Sequence, residues 1–166
     1  MAIPKQITPT KLGDYLEVMT KAVFQAGVSW AQIDNSWQSY CDAFEQWDIH
    51  KVAAFKEKDI ERLMEYPGVM HSKKKIVGTI KNANVIIELD KEFNGFKNYL
   101  GSKSSFAELS KDMKKRFSFL GELSAYYFLF RVGEPVPNFE TWIKTIDGDH
   151  PRMREMVEAH QKNNQS

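Results

Sequence analysis

A single cysteine, Cys41, is all the thiol this chain has. It cannot close an intramolecular disulfide, and alone it cannot build a thiolate metal site. Histidine is nearly as scarce, and His50, His71, His150 and His160 show no ligand spacing with Cys41. Long apolar runs are missing too. None reaches the roughly 18 residues that span a bilayer, so no membrane segment is expected. The residues after Met1 hold no extended apolar stretch, and no signal peptide is expected. These absences point to a cytoplasmic protein without metal or cofactor. Strong charge is also lacking. A net charge of +1 says little about partners, since non-specific nucleic-acid binders are often more basic. Repeats and low-complexity linkers do not occur, and residues 1–166 read as one helical domain.

What is present is helical periodicity. Leu12, Leu16, Met19, Val23 and Phe24 recur at helical spacing. Thr8-Pro9 offers a cap and a proline for the start of that helix, Gly27 its end, and Ser29 the start of the next. Trp37, Cys41, Phe44 and Trp47 form an apolar stripe. Asp48 can cap a short helix holding Val52, Ala53 and Phe55. Asp59 to Tyr66 reads as a helix stopped by Pro67-Gly68, and Ser72 can cap a long one from Lys73 to about Leu89. Ser105-Phe106-Ala107-Glu108 is a capping-box pattern for a helix running to Arg116. Gly121 to Val132 is an apolar helix closed by Gly133 and Pro135, and Asn138 and Asp149 can cap two more. No segment shows strand alternation with turn chemistry. The fold class expected is therefore all-α.

Three stretches carry chemistry. The first is Gln25-Ala26-Gly27-Val28-Ser29-Trp30, a glycine turn ending in an aromatic. The second spans residues 59–89, a helix, a Pro-Gly hairpin and a basic helix. Backbone N–H groups of such a hairpin, with a helix N-terminus, can point at a phosphate without reading sequence. Lys73, Lys74 and Lys75 would add counterion-release affinity. A plain helical hairpin with a solvated lysine run is the alternative. The third is Leu109-Ser110-Lys111-Asp112-Met113-Lys114-Lys115-Arg116-Phe117-Ser118-Phe119-Leu120-Gly121, which taken alone is a basic helix terminus complementing the macrodipole.

Together these resemble the bacterial 3-methyladenine DNA glycosylase I family, a branch of the helix-hairpin-helix glycosylases. The first stretch matches its Q-A-G-L-S-W signature. Val52-Ala53-Ala54, Asp59, Glu61-Arg62-Leu63, Gly68-Val69, Lys75-Ile76 and Asn82-Ala83 match its V-A-A, D-x-E-R-L, G-I-I, K-I and N-A pattern without gaps, with Met70 and His71 in place of the usual arginine. The third resembles L-S-K-x-L-K-K-x-G-F-x-F-V-G, with Arg116 at the glycine and one residue fewer before it.

The resemblance implies an enzyme that extrudes alkylated adenine from double-stranded DNA and hydrolyses its N-glycosidic bond. It implies Gly27 and Val28 as the wedge and Trp30 and Gln25 at the base pocket, with burial in an ordinary core as the alternative for Trp30. The DNA backbone would be held by Gly68, Val69, His71, Ser72, Lys73 and Lys75. Departures matter equally. The family's pocket glutamate falls at Ala22, and its N-terminal cysteine, histidine and pocket aromatics have no counterpart before Tyr15. The family's zinc-binding histidine and cysteine fall at Asn138 and Trp142, so no zinc is expected. The catalytic carboxylate is therefore unassigned. Glu122 and Glu140 are candidates, with a first-turn acid on the helix dipole as the alternative for Glu122, and Glu17 a weaker one. Two further functions compete: a DNA-binding descendant that has lost base excision, and a protein-interaction module.

Overall fold

The computed structural model describes residues 5–146, together with 158, 161 and 162. Helix α1 (Leu12–Gln25) sits centrally because Leu16, Met19, Val23 and Phe24 share one face, and all four are fully buried. Each such side chain is worth about 1.5–3 kcal/mol of transfer free energy. The Thr8-Pro9 pair does not begin this helix. Helical geometry starts at Leu12, and the Asp14 carboxylate accepts from the Thr10 and Lys11 backbone N–H groups. A carboxylate inside the first turn satisfies those orphan donors better than an upstream proline.

After a glycine turn (Gly27, φ +80°), α2 (Trp30–Ala43) begins behind Ser29. The chain then tightens into a 3₁₀ turn, Glu45–Trp47, whose three residues all have positive φ. This turn delivers Trp47 onto stacked contacts with Trp37 and Phe44. Helix α3 (Ile49–Ala53) is capped by Asp48, which accepts from the Lys51 N–H, and Phe55 lies beyond its end. Helix α4 (Glu57–Met64) starts two residues earlier than the sequence suggests, because the Asp59 carboxylate accepts from Lys56 N–H.

Helix α5 (Lys73–Glu92) is the longest, with Ser72 Oγ accepting from Lys75 N–H at 3.3 Å. It packs against α1, α3, α4 and the short α6 (Phe96–Leu100). Nothing in the pattern announced α6, which follows Asn94 and Gly95, both at positive φ. Helix α7 (Phe106–Arg116) is capped by Ser105, but the Glu108 carboxylate bonds Ser104 instead of closing the expected box. Helix α8 (Glu122–Arg131) packs on α1 and α7. Helix α9 (Phe139–Ile143) is capped by Asn138, which accepts from Thr141 N–H. The cap expected at Asp149 lies outside the described residues. The described elements are all helical, and no helix among them is long and apolar enough to cross a membrane.

The core has two parts. The larger joins α1 to α8 through residues such as Leu16, Phe24, Ile76, Met113 and Phe128. The smaller is aromatic: Trp30, Tyr126, Tyr127 and Phe139, with Ile143.

Candidate DNA-binding face and base pocket

The hairpin between α4 and α5 turns at Gly68, with φ +87°. A Cβ here would collide with the Ser39 side chain, so glycine is required both for its dihedral and for the close approach to α2. Val69 is buried, and its N–H bonds the Tyr66 carbonyl. Met70 N–H donates to the Tyr40 hydroxyl at 2.9 Å, which ties the hairpin to α2. Ser72 is occupied as the helix cap, and its N–H bonds the Met70 carbonyl. The backbone N–H groups of Gly68, His71, Lys73 and Lys74 make no hydrogen bond among the described residues. Those of Lys73 and Lys74 are the orphan donors of a helix start. Gly68, His71, Lys73 and Lys74 are all exposed. The structure thus divides the expected backbone contacts. Gly68, His71 and Lys73 face outward, while Val69, Ser72 and Lys75 are engaged internally.

Lys75 links this hairpin to the first signature. Its Nζ donates to the Ala26 carbonyl at 3.1 Å, with the ammonium 5.9 Å from the Phe24 ring centroid. Gly27 is exposed with open space around its Cα, and Val28 is half-buried against the core. The loop tip and the hairpin therefore share one side of the molecule.

Trp30 lies behind that tip. It is 6% exposed and packs edge-on against Tyr127, with ring centroids 5.0 Å apart. The Arg131 guanidinium sits 5.3 Å from the Trp30 ring centroid. Arg131 Nη2 donates to Gln25 Oε1 at 2.7 Å, and both side chains are buried. Among the described residues, Arg131 Nη1 and Gln25 Nε2 have no hydrogen-bond partner. Burial pulls the arginine pKa down to about 10, against the opposing influence of Asp34 and Tyr127. A charged side chain in so dry a place is costly. Arg131 was the residue that pattern reading missed. Its signal was a lone charge at the end of the apolar run from Ala125, which periodicity alone does not distinguish from a solvated helix end.

No carboxylate is hydrogen-bonded within this group. Ala22, buried at 5%, stands where the family's pocket glutamate falls. Glu122 is exposed and lines a separate cleft of about 600 Å³, shared with Phe106, Lys111, Lys114 and Trp142. Glu140 is also exposed. Glu17 accepts from the Trp37 indole N–H at 2.9 Å, which makes it a structural acceptor. The structure thus engages Glu122 and Glu17 away from Trp30. Asn138 and Trp142 do not fit a zinc ion. Asn138 caps α9, and Trp142 stacks on Tyr126 with centroids 4.3 Å apart.

The fold, the glycine hairpin and the loop before Trp30 define the class, a helical DNA glycosylase-like domain. Residues 11–107 match the methyladenine glycosylase family, and the chain belongs to it. It is 30% identical to DNA-3-methyladenine glycosylase 1 of Escherichia coli (strain K12) over 130 residues, which is 66% of this chain and 70% of that protein. It is 29% identical to the DNA-3-methyladenine glycosylase of Haemophilus influenzae, with the same coverage. Among solved structures, a variant of 3-methyladenine DNA glycosylase I in complex with 3-methyladenine superposes with a TM-score of 0.70. That match has 24% identity and covers 78% of this chain and 81% of that one.

Proposed function

We propose that this protein is a monofunctional DNA N-glycosylase of base-excision repair, which releases alkylated adenine of the 3-methyladenine type from duplex DNA. The observation that carries this reading is the family match across α1 to α6. That stretch includes the hairpin and the loop from Gln25 to Trp30. In this scheme the outward N–H groups at Gly68, His71, Lys73 and Lys74 grip a phosphate. Gly27 and Val28 enter the duplex where the base leaves, and the extruded base meets Trp30 and Gln25. Water is the nucleophile. An alkylated adenine already carries positive charge and leaves readily, so its release asks less of a general acid than release of a neutral base.

One arrangement favours a second reading, a DNA-binding protein without excision. Ala22 supplies no carboxylate, and the Arg131 guanidinium lies against the ring on which the base would stack. Both readings share DNA binding, and one pair of measurements separates them. The protein, in large excess, is incubated with methylated duplex and the released bases are counted by chromatography. In parallel, its binding to a duplex containing an abasic-site analogue is measured across a salt series. Release above blank establishes the enzyme. Salt-sensitive binding without release establishes the second reading, and neither signal overturns both.

A further inference from the structure

Phe119 is 44% exposed and Val77 42% exposed, two of the three large hydrophobic side chains left open among the described residues. Val77 precedes Gly78 in α5, and Phe119 packs at Gly78. The Phe119 ring lies over Gly78 of α5, where an added Cβ would stand 3.0 Å from its Cδ2. Phe119 is also held at φ +59°, a left-handed conformation that a bulky residue rarely adopts. The loop does not relax because it is pinned from below. Ser118 N–H donates to Asn82 Oδ1 at 2.8 Å, and Asn82 Nδ2 donates to the Ser118 carbonyl at 3.1 Å. Phe117 and Leu120, on either side, are buried. The tip is thus a rigid, outward-facing aromatic.

Its position on α5 gives it meaning. Lys75, which holds the Ala26 carbonyl, and Gly78 and Asn82, which hold the Phe119 loop, are spaced three and four residues apart on one helix face. The loop carrying Gly27 and Val28 and the loop carrying Phe119 are therefore anchored on the same helix, at points about one helical turn, or roughly 5 Å, apart along its axis. The surroundings are basic. Lys74 and Lys81 lie about one turn to either side of Val77 and Gly78 on α5, and Lys115 lies near the end of α7, just before the loop. These three lysines are exposed and make no ion pair among the described residues. An apolar finger ringed by unpaired lysines suits a polyanion whose interior is a stack of flat rings.

We infer that Phe119 is a second wedge, which enters the duplex beside Val28 and stacks on the bases exposed when one nucleotide is extruded. Val28 is short and half-buried, so alone it fills little of the gap. The inference rests on the DNA-binding reading that both proposed functions share. It assigns Phe119 a positioning role in holding distorted DNA, not a part in bond cleavage.

The test uses a duplex with an abasic-site analogue and 2-aminopurine at the neighbouring position of the complementary strand. Phe119→Asn removes the ring while suiting the left-handed backbone, and a circular-dichroism melt checks that the variant stays folded. Affinity is expected to fall about tenfold, as for loss of one aromatic–base stack. The salt slope should be unchanged because no phosphate contact is lost. The 2-aminopurine rise seen with wild type should disappear, and Phe119→Trp should restore both signals. If Phe119→Asn binds as wild type does, with the same fluorescence rise, the second wedge is wrong although the DNA reading stands. If wild type itself shows no salt-sensitive binding, the DNA reading fails and takes this inference with it.

Discussion

The hairpin face and the Trp30 pocket both adjoin the Gln25–Trp30 loop but have opposite character. At the hairpin, backbone donors point outward unpaired among the described residues, Gly68 and Gly27 keep the backbone approachable, and Lys73 and Lys74 are exposed. At Trp30, the ring is nearly covered, a guanidinium lies against it, and two buried donors lack acceptors among the described residues. The first region presents its donors to solvent. The second is filled from within. Holding DNA needs only backbone geometry and diffuse positive charge, which tolerate side-chain drift. Accepting a base needs an open volume with specific polar partners, and single substitutions such as the alanine at 22 remove those.

This contrast can be broken or sharpened experimentally. The largest effect is expected inside the pocket. Gln25→Ala strips Arg131 of its hydrogen bond and leaves a buried cation, so stability should fall by about 2–3 kcal/mol. Arg131→Met, of similar reach without charge, should cost less than about 1 kcal/mol or stabilise. Urea unfolding of both variants checks the pair, and equal losses would mean the guanidinium is not the costly element.

Next comes the aromatic prop behind the pocket. Trp142→Ala removes stacking on Tyr126 and an edge contact to Phe106. A loss of about 2 kcal/mol is expected for this half-buried ring, and a loss well under 1 kcal/mol would show that α9 does not clamp the core. At the hairpin the expected effect is on binding, not stability. Lys73→Ala with Lys74→Ala should lower the slope of log affinity against log salt by about 2, near 0.9 per phosphate contact, with an unchanged melting temperature. An unchanged slope would remove these lysines from the DNA contact.

The smallest effect lies far from both regions. Burial would raise the Asp112 pKa, but hydrogen bonds from Tyr99 and Arg116 outweigh it and hold it below the ordinary value. A carboxyl depressed in the folded state stabilises fully above its unfolded pKa, near 3.9. That contribution is lost as pH falls through the folded value. Asp112→Asn should therefore flatten the stability profile below about pH 4, by less than about 1 kcal/mol for so accessible a pair. Melts at pH 3 and pH 6 would show it.

Much of the architecture was legible because it is local. Caps at Asp48, Ser72, Ser105 and Asn138 mark starts that the structure retains, since a side-chain oxygen and a backbone donor three residues on need nothing distant. Thr8-Pro9 misled because an equally local competitor, Asp14, took the same donors. The gapless motif spacing carried ancestry for the same reason: it is a property of the chain, not of its folding.

What sequence could not decide was what each side chain meets. Trp30 reads equally as pocket wall or core, and only the return of α8 after about a hundred residues places Tyr127 and Arg131 against it. Glu122 reads as a carboxylate near the site, yet the packing of α7 and α9 turns it to another cleft. Phe119 reads as one more apolar residue in the run from Phe117 to Leu120, and becomes an exposed finger because Asn82 holds the loop beneath it. The sequence determined most of the helices, most of their caps and the family to which they belong, because periodicity, capping and motif order are short-range. Tertiary structure alone decided which aromatics are covered and which donors stay unpaired, because burial depends on contacts between residues far apart along the chain.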